Sequence, residues 1–99
     1  MLNIHQTAEN EKTILALAGR LDTVTAPELE QKIKEALPSA SALTLDLENL
    51  EYISSAGLRV LLAAQKALTG KGGLTITHAG EAIMEIFEVT GFSDILTIE

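Results

Sequence analysis

Large apolar residues alternate with small or polar ones in four short stretches of this chain and recur at helical spacing in three longer ones. Leu2, Ile4 and Gln6 alternate with Asn3 and His5, and Thr13 to Ala18 alternates likewise up to Gly19. Leu43-Thr44-Leu45-Asp46-Leu47 is the cleanest case, and Leu74 to Thr77 repeats it. A period of two marks a strand whose two faces differ. Asn10 suits a turn between the first two strands.

The helical stretches follow the strands. Ala26, Leu29, Ile33, Ala36 and Leu37 share one face of a helix predicted over Thr25 to Leu37. Thr25 and Glu28 have capping-box spacing, Pro27 is tolerated in a first turn, and Pro38 stops the helix. Glu28–Lys32 and Glu30–Lys34 add pairs four residues apart with the acid first. A second helix is predicted over Ala56 to Leu68, capped by Ser54 or Ser55, with Leu58, Leu61, Leu62 and Leu68 inward and Arg59 and Lys66 on another side. Gly70, Gly72 and Gly73 end it. The third, Glu81 to Thr90, turns Ile83, Ile86 and Phe87 inward and stops at Gly91. Ile95 to Ile98 reads as a short edge strand or a helical end.

The order β-β-α-β-α-β-α implies a right-handed crossover joining parallel strands around the second helix. Leu15, Leu17, Leu43, Leu45, Leu47, Leu74 and Ile76 face one way. Ala16, Ala18, Thr44, Asp46, Thr75 and Thr77 face the other. A parallel sheet covered on both faces reads as almost continuously apolar. The pattern therefore predicts an α/β fold with a mixed sheet of four to five strands and helices packed mainly on one face. No repeat, low-complexity segment or linker interrupts the 99 residues, so residues 1–99 are read as a single domain.

Composition narrows the function classes. A chain of this size buries one core and leaves little room for a deep substrate cavity. The net charge is −7, and the seven basic residues Lys12, Arg20, Lys32, Lys34, Arg59, Lys66 and Lys71 are scattered. Direct nucleic-acid binding needs such residues clustered, so it is not expected. The longest apolar run, Val60 to Ala64, is far short of the about 20 residues of a membrane span, and no membrane insertion is expected. The start Met1-Leu2-Asn3 lacks a signal-peptide pattern, and the chain has no cysteine. These features together predict a cytoplasmic protein.

Catalytic equipment is sparse. His5 and His78 have no metal-pair or triad spacing. Thr69-Gly70-Lys71-Gly72-Gly73 lacks the first glycine of a phosphate loop and the hydroxyl residue after its lysine, and it follows a helix, so it reads as a flexible turn. Asp46, Glu48 and Glu51 read as a solvated strand end. No catalytic residue, metal site or cofactor is expected, which counts against a nucleotide-binding or catalytic domain. Ser54-Ser55-Ala56-Gly57 stands out, because it places hydroxyls between a strand and a helix. One serine there serves as a cap. A phosphate acceptor at a helix N-terminus is the alternative, since free N–H groups and the dipole tolerate added negative charge. The flanking glycines and histidine partner of a nucleophile elbow are missing.

Leu45-Asp46-Leu47-Glu48-Asn49-Leu50-Glu51-Tyr52-Ile53-Ser54-Ser55-Ala56-Gly57-Leu58-Arg59-Val60-Leu61-Leu62 resembles the signature of STAS domains, specifically of bacterial anti-sigma factor antagonists. Gly19-Arg20-Leu21-Asp22-Thr23-Val24-Thr25-Ala26 resembles the family's second motif, a Gly-x-Leu-Asp loop before the first helix. The resemblance covers essentially the whole chain. It implies a regulator of transcription, not an enzyme, that works by partner switching. The unphosphorylated form binds an anti-sigma factor that is also a serine kinase and so frees the sigma factor. The kinase inactivates the antagonist by phosphorylating it, and a serine phosphatase reverses this. The family phosphoacceptor matches Ser55, so the resemblance implies a phosphoprotein modified there; the Asp that precedes it in the family is Ser54 here, a second hydroxyl. The implied partner-binding residues are Asp22, Thr23, Ser54, Ala56, Gly57 and Arg59. The alternative within the family is a STAS docking subunit of another complex, such as a lipid-transport assembly.

Overall fold

The structure, a computed structural model, describes residues 2–9, 12–37 and 40–99. The turn expected at Asn10 and the helix stop expected at Pro38 lie outside the described residues. Five strands form one sheet in the order β1 (Leu2–Glu9), β2 (Lys12–Leu21), β3 (Ala42–Ile53), β4 (Gly73–Thr77) and β5 (Thr97–Ile98). β1 runs antiparallel to β2, and every later pair is parallel. The helices α1 (Ala26–Ala36), α2 (Ser55–Ala67) and α3 (Glu81–Thr90) occupy the crossovers. The mixed α/β sheet is as expected, with five strands. At the tail, a 3-10 turn at Phe92–Asp94 leads into β5, a two-residue edge strand.

The leucine face of the sheet is the core face. Leu15, Leu17, Leu43, Leu45, Leu47, Leu74 and Ile76 are fully buried beneath Leu29, Leu61, Leu68, Ile83 and Phe87 of the helical layer and its flanks. On the other face Ile14, Ala16, Ala18, Asp46, Thr75 and Thr77 stay partly exposed, although Thr44 is buried. In α2 Gly57, Leu58, Val60, Leu61, Ala64 and the cap Leu68 are buried, while Leu62 is only half-buried. Ile86 of α3 is likewise half-buried at the core margin.

β3 departs most from expectation. The alternation from Leu43 to Leu47 predicts a strand ending there, yet β3 continues to Ile53. Its buried positions switch from every second residue to every third: Leu47, Leu50, Ile53. The register explains the switch. Ala16 pairs with Asp46 and Ala18 with Asn49, then Gly19 pairs with Leu50 and Arg20 with Tyr52. At each step β3 carries one residue more than β2, a bulge that keeps the large side chains on the core face while breaking the alternation. Gly19, at φ +100, takes a backbone conformation that few other residues would accept, and β2 runs on past it to Leu21. Glu48 and Glu51 therefore lie within a paired strand, not at its solvated end.

Leu45 sits fully buried in the central strand. Leu45→Ala should cost about 2–5 kcal/mol of unfolding free energy, read from the denaturant midpoint at an unchanged slope.

Candidate functional site

The two loops that follow β2 and β3 meet at one end of the sheet. The parallel pairing carries Arg20 to Tyr52 and Leu21 to Ile53, and the Ser54 N–H then donates to the Leu21 carbonyl at 2.8 Å. The Asp22 loop and the start of α2 are thus neighbours, although more than thirty residues apart in sequence.

Asp22 organises the first loop. Its Oδ1 accepts from the N–H groups of Val24 and Thr25, each at 3.0 Å. Its own N–H donates to Thr25 Oγ1 at 2.8 Å, and that hydroxyl donates to the Arg20 carbonyl at 2.8 Å. Thr25 does not cap α1 as its capping-box spacing with Glu28 suggests, because its hydroxyl is engaged upstream and makes no side-chain cap bond. The Ala26 N–H bonds the Asp22 carbonyl instead, at 2.8 Å. The loop consequently presents Thr23 and Val24 outward, Val24 being 81% exposed.

The second loop is as tightly held. Ser54 takes an extended conformation, and its Oγ accepts from the Gly57 N–H at 3.3 Å, so it is Ser54 that caps α2. Ser55 is the first residue of the helix and is exposed. Ala56 is half-buried, and Gly57 is buried. A Cβ on Gly57 would stand 2.7 Å from Leu21 Cγ and 3.0 Å from Ile53 Cγ1. Gly57 is a point of close approach that lets α2 settle on the strand ends. Leu58 anchors the turn in the core, and Arg59, one turn after Ser55, is exposed.

Of the expected site residues, the structure brings Asp22, Thr23, Ser54, Ser55 and Ala56 to one end of the sheet, with Arg59 one helical turn further on. The sequence reading did not single out Arg20, Tyr52 and Val24. The Arg20 guanidinium carbon lies 4.3 Å from the centre of the Tyr52 ring, a cation–π contact, and Arg20 Nε is 3.9 Å from Asp22 Oδ2. Tyr52 is 37% exposed, so this pair borders the two loops as a firm amphipathic patch. Its signal was the register, which a strand ending at Leu47 conceals. The exposed hydroxyls, small residues and one apolar side chain at this end of the sheet are suited to contact.

The chain matches the family model described as "Mlab, STAS domain" over residues 4–97 and belongs to the STAS domain family. It is 30% identical over 92 residues to the anti-sigma-B factor antagonist of Bacillus subtilis (strain 168), covering 91% of this chain and 84% of that protein. The crystal structure of an anti-sigma factor antagonist from Mycobacterium paratuberculosis superposes with a TM-score of 0.89 at 27% identity, over 99% of this chain and 85% of that one. The Bacillus cell fate determinant SpoIIAA shares the fold in its phosphorylated form, with a TM-score of 0.74 at 17% identity over 100% of this chain and 91% of that one. Its unphosphorylated form gives 0.75 at 16% identity over 100% and 87%. Among the described residues no helix is long and apolar enough to cross a membrane.

The hydrogen bonds from the backbone and hydroxyl of Thr25, with that from Val24, favour the charged carboxylate and hold Asp22 below its ordinary value of 3.8; the Arg20 charge acts in the same direction and burial opposes it. A lowered carboxylate pKa stabilises the folded chain above the unfolded value, and that contribution disappears as pH falls through the folded value. Asp22 should therefore titrate below 3.8 in carboxyl-carbon NMR. Thr25→Val, which removes the hydroxyl, should move the midpoint upward.

Proposed function

We propose that this chain is an anti-sigma factor antagonist that binds an anti-sigma factor with serine-kinase activity and is inactivated when that kinase phosphorylates Ser55, a serine phosphatase restoring it. One observation carries the proposal: Ser55 is exposed at the first position of α2, at the end of the sheet where the Asp22 loop also emerges, next to a Ser54 held by its N–H on the Leu21 carbonyl and by its hydroxyl on the Gly57 N–H. The names of the similar proteins supply the partner class. Thr23, Val24, Ser55, Ala56 and Arg59 form the contact surface, and Asp22, Ser54 and Gly57 hold it in shape.

The chemistry of inactivation is electrostatic. A phosphate on Ser55 adds roughly −1.5 to −2 charges. In the free chain it faces water and the N-terminus of α2, which favours it by about 0.3–1 kcal/mol. Pressed against a partner, the same group loses water, and a buried charge that the partner leaves unpaired costs several kcal/mol. About 3 kcal/mol corresponds to roughly a hundredfold in affinity.

The second reading is a docking subunit of another complex, such as a lipid-transport assembly, which would use the same surface without phosphate. In its favour, the matched family model is described as Mlab and not as an antagonist.

Incubation with the cognate kinase and ATP should add one phosphate, located on Ser55 by peptide mass spectrometry. Ser55→Ala should accept none, keep its partner, and lose less than about 0.5 kcal/mol of stability, since Ser54 and not Ser55 is the cap. Phosphate on Ser54 or Thr23 in place of Ser55 would overturn the assignment. A chain that binds its partner but is never phosphorylated would favour the docking reading.

Arg59→Glu should weaken partner binding at least about tenfold in a calorimetric titration, a loss near 1.4 kcal/mol. Its melting temperature should hardly move, because Arg59 is exposed. An unchanged affinity would remove Arg59 from the surface.

A further inference from the structure

The parallel register of β3 and β4 assembles a cluster that residue spacing conceals. Asp46 of β3 pairs with Ala16 on one side and with Thr77, the last residue of β4, on the other. The next residue, His78, has φ +57, a left-handed conformation unusual for a residue with a side chain. Its ring reaches Asp46, with Nδ1 hydrogen-bonded to Oδ1 at 3.1 Å. Glu48 follows Asp46 by two residues, and its N–H donates to the same Oδ1 at 3.1 Å. One ligand-type atom from each of Asp46, Glu48 and His78 lies within 4.8 Å of the others.

Carboxylates alone would mean little on a chain of net charge −7. Here an imidazole 32 residues away from Asp46 joins two of them. Metal–ligand bonds of about 2.0–2.2 Å place adjacent ligands on one ion roughly 3–3.5 Å apart; His78 Nδ1 and Asp46 Oδ1, hydrogen-bonded to each other at 3.1 Å, stand at that spacing, and an ion would take the place of the proton between them. The set is also selective by type. Calcium and magnesium favour oxygen ligands alone and copper(I) favours sulfur, whereas one imidazole with two carboxylates suits a borderline first-row divalent ion. Asp46 stands where β3 is paired on both edges, with Ala16 and Thr77, which gives that ligand a rigid base, and Glu48 follows in the bulge against β2.

We propose that Asp46, Glu48 and His78 form a three-ligand site for a first-row divalent cation of the zinc type, with the remaining positions left to water. His78 is 64% and Asp46 27% exposed at the side chain, so an ion can enter from solvent. The site shares no residue with the surface around Ser55 and stands or falls separately from it.

The test is a calorimetric titration of the purified chain with Zn²⁺, followed in parallel by amide NMR. One ion per chain should bind, with shift changes centred on residues 46–48 and 77–79. Glu48→Gln and His78→Asn should each weaken binding at least about tenfold. Asn tolerates the left-handed backbone at position 78, so that variant should stay folded, as its remaining amide spectrum will report. His5→Gln is the control: His5 lies in the same row across the sheet, paired with Ala16, but outside the cluster, and its loss should leave affinity unchanged. Absence of saturable binding, equal affinity in His78→Asn, or loss of affinity in His5→Gln would each overturn the proposal.

Discussion

The long parallel pairing of β2 with β3 is the constraint on which the rest depends. It runs from Lys12 beside Ala42 to Leu21 beside Ile53, well beyond the point where β4 stops alongside β3. That extension, closed by the Ser54–Leu21 hydrogen bond, brings the chain out of both strands at one place. A strand with strict alternation could not satisfy it here, because large residues at Leu47, Leu50 and Ile53 must all reach the core. Two bulges in β3 resolve the conflict. They deliver Ile53 and Leu21 as a platform on which α2 can begin, and Gly57 is what allows the helix to come that close. Ser55 is exposed as a consequence of this packing.

Most of the layered architecture was legible in the sequence, because burial on one face imposes a period on each element. Leu43, Leu45 and Leu47 against Thr44 and Asp46 identified a one-sided strand, and Ile83 and Phe87 marked the inner face of α3. Legibility failed where a local rule met a longer-range partner. Leu47-Glu48-Asn49-Leu50 carries no strand period, since the bulge is defined by pairing with β2. The spacing of Thr25 and Glu28 suggested a capping box, but the Thr25 hydroxyl is drawn to the Arg20 carbonyl by the turn that Asp22 builds. The choice of Ser54 over Ser55 as the cap was open from composition and is decided by the backbone, with Ser54 extended and its Oγ on the Gly57 N–H.

The same limits applied to the functional surface. Resemblance to the family singled out Asp22, Thr23, Ser54, Ser55, Ala56, Gly57 and Arg59 as one group, with no means of telling which touch and which support. Burial and hydrogen bonding divide the group into side chains engaged within the fold and side chains left exposed. Asp22 uses Oδ1 within its own loop, Ser54 uses its hydroxyl on α2, and Gly57 is covered. Thr23, Ser55 and Arg59 are exposed and Ala56 is half-buried beside them. Val24 and the Arg20–Tyr52 pair enter for a different reason. An exposed valine at a fixed loop tip and an aromatic ring backed by a guanidinium offer apolar contact area that loses little side-chain entropy on binding.

This division of labour bears on how a switch here would work. A conformational switch needs an element with two packings of similar free energy, and a small charge selects between them only if the element can yield. Around Ser55 nothing of that kind is present among the described residues. Ser54 is held by its N–H and its hydroxyl, Gly57 abuts Leu21 and Ile53, and Leu58 is buried one residue further on. To displace Ser55 inward would force α2 into the strand ends; to displace it outward would pull Leu58 from the core, which costs on the order of 1.5–3 kcal/mol. A phosphate in water at a helix N-terminus exerts no comparable force, being favoured there by less than about 1 kcal/mol. The remaining lever is the surface itself. On a rigid platform, a phosphate placed on Ser55 as proposed is harmless to the free chain and is penalised only when a partner excludes water from it, so under that proposal its effect would fall on binding and not on the fold.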